Sequence, residues 1–374
     1  MLHDSGALAL TISTQFPRDL IAWQQTHGRN TLPWQNTQDP YRVWLSEIML
    51  QQTQVTTVLE YYARFLQRFP TVADLAAAQP DDVLALWSGL GYYSRARNLH
   101  RCAQQVVALH GGRFPQTAQE LQTLSGIGPS TAAAIASFCF AERVAILDGN
   151  VKRVLTRVLA FSGDLALGAQ ERQLWAIAQT LLPEKDLKQA MPRYTQGLMD
   201  LGATVCTPRK PLCIFCPVQR ICKGFATGEP EKFPVKTRKL KRSSQKLSLL
   251  WAQRPDGSVW LERRPVTGIW GGLYCLPVFD SEEALKAFLP ASLHQRMEPL
   301  PPFVHVLTHK DLHLGPVLVG FATDQNLPSS SSKIAGVAEP EVFGTWFLPD
   351  AWPALGLPAP IRKLLAEEAA GHQK

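Results

Sequence analysis

Four cysteines within seventeen residues constrain the fold of this chain more than any other feature. They are Cys206, Cys213, Cys216 and Cys222, with the spacing C-x6-C-x2-C-x5-C. Four thiolates in one short loop can enclose an iron–sulfur cluster or a tetrahedral zinc ion. Zinc ribbons usually pair two Cys-x-x-Cys knuckles across a longer gap, and this loop has one knuckle. The spacing therefore favours a [4Fe-4S] cluster over zinc, and we expect its role to be structural rather than redox.

Composition sets the broad class of the protein. The chain has 374 residues, of which 45% are apolar and 18% charged, enough for two or three domains of about 100–200 residues each to bury a core. Its seven cysteines are an odd number for a disulfide framework. It contains no signal sequence and no apolar run of about 18 residues, so we expect a soluble, cytoplasmic protein. The net charge of +7 favours a polyanionic partner, although charge alone identifies none.

Hydrophobic periodicity divides the chain into a helical part and a part with strands. Residues 1–225 are predicted to be helical, with one helix beginning at Asp39-Pro40. Residues 226–246 are predicted to be a basic linker that either spaces the domains or lies along phosphates. Residues 247–374 are predicted to form a compact α+β domain. Its predicted elements are strands at 247–252, 259–263, 303–307 and 314–321 and helices at 281–288 and 360–370.

The segment LSGIGPST, residues 124–131, connects two helical patterns within about 116–140. Gly126 and Gly128 allow the backbone to turn tightly and to bring its N–H groups against a ligand. Pro129 suits the first turn of the next helix, whose positive end favours an anion. A helix-hairpin-helix of this kind binds DNA phosphates without reading sequence. By itself, the pattern is equally compatible with a plain turn.

Two carboxyl groups in the helical part of the chain are candidates for catalysis. Glu47 is the one acid in WLSEIMLQQTQV, residues 44–55. A carboxyl group among apolar neighbours should have a raised pKa, which suits a general acid near neutral pH. Asp148 lies in ILDGNVKRV, residues 146–154, where a helix N-cap is the simplest interpretation.

These motifs, in this order, resemble the endonuclease III superfamily of DNA glycosylases and, within it, the MutY family of adenine DNA glycosylases. The resemblance extends over nearly the whole chain and includes GLGYYSRARNL, residues 89–99. It implies an all-α helix-hairpin-helix glycosylase region with an iron–sulfur loop at 206–222, followed by a C-terminal α+β Nudix-like domain. It also implies a monomer that removes adenine mispaired with 8-oxoguanine or guanine in double-stranded DNA.

The resemblance implies roles for individual residues. Glu47 would donate a proton to adenine N7 and help to activate water, and Asp148 would stabilise the oxocarbenium-like sugar. Asn150 would orient groups beside them. Tyr92 would act as an aromatic wedge, with core packing as the alternative. The side-chain amides of Gln51 and Gln52 would enter the gap in the base stack that the flipped nucleotide leaves. The expected DNA contacts are Gln51, Gln52, Tyr92, Gly126, Gly128, Ser130, Lys152, Arg209 and Lys210.

Ser130 and Lys152 bear on whether the chain also cuts the DNA backbone. Superfamily members that do so carry a lysine at the position of Ser130, which forms a Schiff base with the sugar. An alcohol cannot form an imine, so the resemblance implies a monofunctional glycosylase. Lys152 is assigned to phosphate binding, with weak adventitious lyase activity as the alternative.

The segment WGGLYCLP, residues 270–277, resembles the start of a Nudix domain. The acidic signature that should follow for Mg²⁺ is missing, so we expect no pyrophosphatase chemistry. The family precedent is recognition of 8-oxoguanine, for which Leu307, Thr308 and His309 are the expected contacts. Relatives often have Phe-Ser-His there, so this chain keeps the hydroxyl and loses the aromatic ring. The alternative is that Thr308 and His309 are ordinary surface residues.

Two rival functions are a bifunctional pyrimidine-damage enzyme like endonuclease III and a non-catalytic DNA-binding module. Ser130, Glu47 and the additional C-terminal domain argue against the first. The pair Glu47 and Asp148 argues against the second, because simple phosphate binding has no use for carboxylates near a polyanion.

Overall fold

The structure is a computed structural model that describes residues 4–35, 37–237, 242–327 and 344–371. Its α-helices, in chain order, are α1 (Asp4–His27), α2 (Pro40–Leu50), α3 (Val55–Arg68), α4 (Val72–Ala77), α5 (Pro80–Trp87), α6 (Ser94–His110), α7 (Ala118–Leu121), α8 (Pro129–Phe140), α9 (Gly149–Leu159), α10 (Gly168–Thr180), α11 (Leu187–Thr204), α12 (Lys223–Ala226), α13 (Glu282–Phe288) and α14 (Ala359–Gly371). Its strands are β1 (Ser243–Gln253), β2 (Val259–Arg263), β3 (Tyr274–Cys275), β4 (Val278–Phe279), β5 (Met297–Pro299), β6 (Phe303–Val306), β7 (Lys310–Gly320) and β8 (Gly344–Phe347). In the described ranges, no helix has the length and apolar content needed to span a membrane.

The chain forms two compact units. The first comprises residues 1–76 and 101–239, and the second comprises 77–100 and 240–374. Residues 77–100 belong to the second unit through contacts such as those of the Leu357 carbonyl, which accepts hydrogen bonds from Ser88 Oγ at 2.8 Å and from the Tyr93 hydroxyl at 3.2 Å. The expected domain boundaries at 225 and 247 stay a prediction.

The first unit is helical, and one hydrophobic cluster in it lies between α1, α8, α9, α10 and α11. Phe16 and Tyr194 meet edge to face in this core, with ring centroids 6.1 Å apart. Alanines dominate the buried face of α8, so neighbouring helices can approach it closely. This packing fixes the start of α8 and the start of α9, from which the cavity described below is built.

Helix α2 begins as the sequence predicts. The Asp39 side chain accepts a hydrogen bond from the Tyr41 N–H at 2.9 Å, and Pro40 is the first helical residue. The apolar pattern that continues beyond Leu50, however, belongs to the separate helix α3. Gln52 has a φ of 57°, a left-handed conformation that ends the helix. Gln51 and Gln52 therefore lie on a turn, not on the helical face of Glu47.

The second unit contains a mixed sheet, eight-stranded in the described residues, with the order β3-β2-β1-β7-β5. Strand β4 pairs with β1, β6 with β7, and β8 with β2. β1 and β7 run parallel, and the other pairs are antiparallel. The predicted hairpin between β1 and β2 is confirmed; in its turn the Gly257 N–H donates to the Arg254 carbonyl at 2.9 Å.

The predicted linker, 226–246, is not a free spacer along the part of it that the structure describes. The Phe233 carbonyl accepts from Arg157 Nε at 3.1 Å, and the Val235 carbonyl accepts from the Leu165 N–H at 3.1 Å. Strand β1 begins at Ser243, earlier than predicted, because residues 243–246 pair with 310–313 of β7. The basic residues Arg238, Lys239 and Lys241 lie outside the described residues.

Candidate active site

A cavity of about 800 Å³ in the first unit is lined by both predicted catalytic carboxyl groups. Glu47 comes from α2, and Asp148 and Asn150 come from the start of α9. Ser130 and Thr131, at the start of α8, complete this side of the wall. The volume falls in the range of about 300–1,000 Å³ that is typical of small-ligand sites.

Glu47 sits on a helix that is otherwise buried. Its neighbours Trp44 and Met49 are fully buried, while the Glu47 side chain is partly buried and reaches the cavity. Burial, and to a lesser extent the charge of Asp148, raises the pKa of Glu47 to about 8. The carboxyl group is therefore mostly protonated near neutral pH, as its apolar surroundings led us to expect.

Asp148 is both an N-cap and part of the cavity wall. Its Oδ1 accepts a hydrogen bond from the Val151 N–H at 2.7 Å. Burial raises the pKa of Asp148, while the N–H groups of Val151 and Asn150 oppose that rise by favouring the carboxylate. The adjoining Leu147 N–H donates to Ser130 Oγ at 3.1 Å. Helix α8, which carries Ser130, thus holds the segment that carries Asp148.

Arg153 is a site residue that sequence reasoning missed. Its Nη2 donates to Asn150 Oδ1 at 2.8 Å and to the Gly202 carbonyl at 2.6 Å, and its Nε donates to the Cys206 carbonyl at 2.7 Å. A Cβ at Gly202 would lie 2.7 Å from Asn150 Cβ, so α11 and α9 could not approach this closely with a larger residue there. The three-residue spacing between Asn150 and Arg153, which places both side chains on one face of a helix, was the one sequence feature that could have indicated this contact.

The four cysteines of the loop line one small cavity of about 20 Å³ together with Val154, Arg157 and Val205. The Arg157 guanidinium donates to Cys206 Sγ at 3.4 Å and to the Thr207 carbonyl at 2.7 Å. Within the part of the chain that the structure describes, no group of three His, Cys, Asp or Glu side chains has the arrangement of a metal site. All four cysteine residues nevertheless line this one cavity.

The predicted DNA contacts of the first unit occupy different environments. Gln51 lines the main cavity, and its Nε2 donates to Thr131 Oγ1 at 3.4 Å, whereas Gln52 is exposed. Lys152 does not line the cavity in the described structure; its Nζ pairs with Glu171 Oε1 at 2.7 Å.

The hairpin glycines and the basic residues of the cysteine loop are the remaining predicted contacts. Gly126 has a φ of 77°, which favours glycine, whereas Gly128 has an ordinary φ of −85° and open space where a Cβ would point. Gly128 therefore leaves room at the start of α8. Arg209 and Lys210 are exposed, as is the apolar residue Ile214 of the same loop, which sequence reasoning did not single out.

The second unit brings Tyr92 to the predicted 8-oxoguanine contacts. Leu307, Thr308 and His309 form the turn between β6 and β7, and Thr308 and His309 are exposed while Leu307 is half-buried. The Tyr92 hydroxyl forms a hydrogen bond with the Thr308 hydroxyl. Tyr92 is 43% exposed and has a φ of 49°. The ring is therefore only partly buried, and its role as a wedge stays a prediction.

Two family models match the chain. Residues 45–184 match the HhH-GPD superfamily base excision DNA repair protein, and residues 249–367 match the NUDIX domain. The helical unit with its hairpin and the mixed sheet agree with this assignment. Fold and site therefore define the class as a helix-hairpin-helix DNA glycosylase of base excision repair with a C-terminal Nudix-like domain.

Relatives narrow the class further. The adenine DNA glycosylase of Buchnera aphidicola (from Schizaphis graminum) is 33% identical over 353 residues, which cover 94% of this chain and 97% of that protein. The human adenine DNA glycosylase is 44% identical over 229 residues, covering 59% of this chain and 41% of that protein. The structure of a thermostable thymine-DNA glycosylase is 27% identical, has a TM-score of 0.51, and covers 58% of this chain and 98% of that one. The chain belongs to the family of adenine DNA glycosylases, which confirms the resemblance and the expected fold class.

Proposed function

We propose that the protein is a monofunctional glycosylase that acts as a monomer on double-stranded DNA and hydrolyses adenine mispaired with 8-oxoguanine or guanine. The observation that carries the proposal is that Glu47 and Asp148 line one cavity, where burial raises the pKa of Glu47 to about 8. An acid and an anion are the two groups that N-glycosidic cleavage requires.

In the proposed mechanism, a flipped adenine nucleotide occupies the cavity. Glu47 donates its proton to adenine N7, which turns the base into a better leaving group, and the resulting carboxylate activates a water molecule. The Asp148 carboxylate stabilises the positive charge that develops on the sugar. Arg153 holds the Asn150 amide beside these groups. Free adenine and an abasic site are the products.

Ser130 and Lys152 support cleavage of the base alone. The Ser130 hydroxyl already accepts a hydrogen bond from the chain beside Asp148, and the Lys152 amine forms an ion pair with Glu171. We expect the wild-type protein to give an abasic site without a strand nick, and borohydride to trap little DNA. Efficient nicking that disappears in Lys152→Ala would show instead that Lys152 acts as a lyase nucleophile.

The spacing of the cysteine loop suits a [4Fe-4S] cluster, and its four cysteine residues line one cavity. Cys206, Cys213, Cys216 and Cys222 would hold the cluster, which supplies a rigid support for the loop rather than chemistry at the base. A loop supported in this way would present the exposed Arg209 and Lys210 to DNA phosphates. Analysis of iron and acid-labile sulfide in the purified protein tests this assignment.

Single-turnover excision on three duplexes separates the proposed function from its rivals. The duplexes carry 8-oxoguanine:adenine, guanine:adenine and thymine glycol. We expect release of adenine from the first two and no reaction on the third. Cleavage of the thymine glycol duplex would indicate a pyrimidine-damage enzyme, and tight binding without excision would indicate a non-catalytic module.

A further inference from the structure

The turn between β6 and β7 has a sequence that gives it little conformational preference of its own. The Leu307 N–H donates to the Lys310 carbonyl at 2.8 Å and closes the turn around Thr308 and His309. Thr-His is not one of the dipeptides, such as Asn-Gly or Asp-Gly, that favour a two-residue hairpin loop. We therefore expect contacts from outside the hairpin to contribute to the conformation of this turn.

The residues that lead into β1 supply such contacts. Arg242 Nη1 donates to the Thr308 carbonyl at 3.1 Å. The Ser243 N–H donates to the His309 carbonyl, also at 3.1 Å. Arg242 Nη2 in addition pairs with the Asp311 carboxylate, near the start of β7. One planar guanidinium thus bridges a carbonyl of the turn and a side chain of the strand that follows it.

We propose that Arg242 and Ser243 are positioning residues for the recognition of 8-oxoguanine, an inference that rests on the proposed function. They bind the backbone of the turn, while Thr308 and His309 are exposed and can reach DNA. A turn that is already ordered loses less conformational entropy when its side chains bind a ligand.

This ordering should favour the oxidised base over guanine. 8-Oxoguanine differs from guanine by an oxygen at C8 and a hydrogen at N7, so contacts to these atoms are absent with guanine. A disordered turn would therefore weaken recognition of 8-oxoguanine and leave that of guanine nearly unchanged. The Arg242 side chain is 45% exposed, and a plain contact to a DNA phosphate would instead strengthen binding to both duplexes alike.

The test measures the preference for 8-oxoguanine:adenine over guanine:adenine by competition between the two duplexes. Arg242→Met removes the guanidinium, and its control is Lys246→Met, which removes one positive charge from an exposed position on β1. Ser243→Pro removes the N–H at the first residue of β1, where a strand tolerates proline. Its control is Ser243→Ala, which keeps the N–H.

We expect Arg242→Met and Ser243→Pro each to lower the preference about threefold to tenfold, the effect of one lost hydrogen bond. The loss should come from slower excision opposite 8-oxoguanine, with excision opposite guanine nearly unchanged. Lys246→Met should weaken binding to both duplexes equally and leave the ratio as in the wild type, and Ser243→Ala should change neither.

Equal losses on both duplexes in Arg242→Met would overturn the inference and indicate a phosphate contact. Unchanged ratios in Arg242→Met and Ser243→Pro would also overturn it, provided that Thr308→Ala/His309→Ala loses the preference. An unchanged ratio in that double variant as well, or a wild type without the preference, would instead refute the proposed recognition of 8-oxoguanine. Circular dichroism identifies a misfolded Ser243→Pro, in which case Arg242→Met decides the outcome.

Discussion

At the scale of single residues, the site holds a carboxyl group, that of Glu47, whose ionisation is costly in the folded protein. The pKa of Glu47 is raised to about 8 from its ordinary value of 4.5, mainly by burial. The native protein therefore binds a proton at this position more tightly than the unfolded chain does. Between about pH 4.5 and pH 8, the free energy of unfolding should fall as the pH rises. Above pH 8 the loss of stability caused by ionising Glu47 reaches its full size.

Replacing Glu47 with Gln removes the free-energy cost of ionising a buried carboxyl group, because the amide does not ionise. We expect Glu47→Gln to raise the free energy of unfolding at pH 8.5 by between about 1 and 5 kcal/mol, since each unit of pKa shift corresponds to about 1.4 kcal/mol. At pH 5 the gain should nearly vanish. Urea unfolding at both pH values measures it, with the exposed Glu60→Gln on α3 as the control. A gain that is equal at both pH values would contradict this account of Glu47.

At the scale of elements, the site depends on the close approach of α9 and α11. Gly202 allows Asn150 to lie against α11, and Arg153 ties both helices to the carbonyl of Cys206. The cysteine loop is thus hydrogen-bonded to the helix that carries two predicted catalytic residues. We therefore expect the structural integrity of the cysteine loop to matter for excision.

Gly202→Ala tests the helix contact. The added methyl group would lie 2.7 Å from Asn150 Cβ, so we expect α9 to shift and the protein to lose about 1–3 kcal/mol of stability. Single-turnover excision should slow at least about tenfold, because the reacting groups lose their alignment. The exposed Thr204→Ala on the same helix is the matched control. Wild-type rates in Gly202→Ala would show that this contact does not position the site.

At the scale of the whole molecule, local chemistry in the sequence predicted the element starts and the overall class. The Asp39-Pro40 helix start and the turn before Ser258 follow from capping and turn preferences that act over a few residues. The early start of β1 and the bridge made by Arg153 depend on partners far away in the chain. So does the assignment of residues 77–100, with Tyr92, to the second unit. Those features could not be read from spacing alone.

In the second unit, the Tyr92 hydroxyl forms a hydrogen bond with the Thr308 hydroxyl, on the turn that we expect to contact 8-oxoguanine. We expect a Thr308→Ala/His309→Ala variant to lose most of its preference for 8-oxoguanine:adenine over guanine:adenine while it still excises adenine from both. Competition between the two duplexes measures the ratio. An unchanged ratio would mean that the turn between β6 and β7 does not read the damaged base.

The most direct test of the two-carboxyl site is the pH dependence of adenine excision in a single turnover with enzyme in excess. If protonated Glu47 is the general acid, the rate should fall about tenfold per pH unit above pH 8. Glu47→Gln should be at least about a thousandfold slower and insensitive to pH over that range, with DNA binding retained. A wild-type rate that stays constant or rises above pH 8, or near-normal excision by Glu47→Gln, would contradict the assignment.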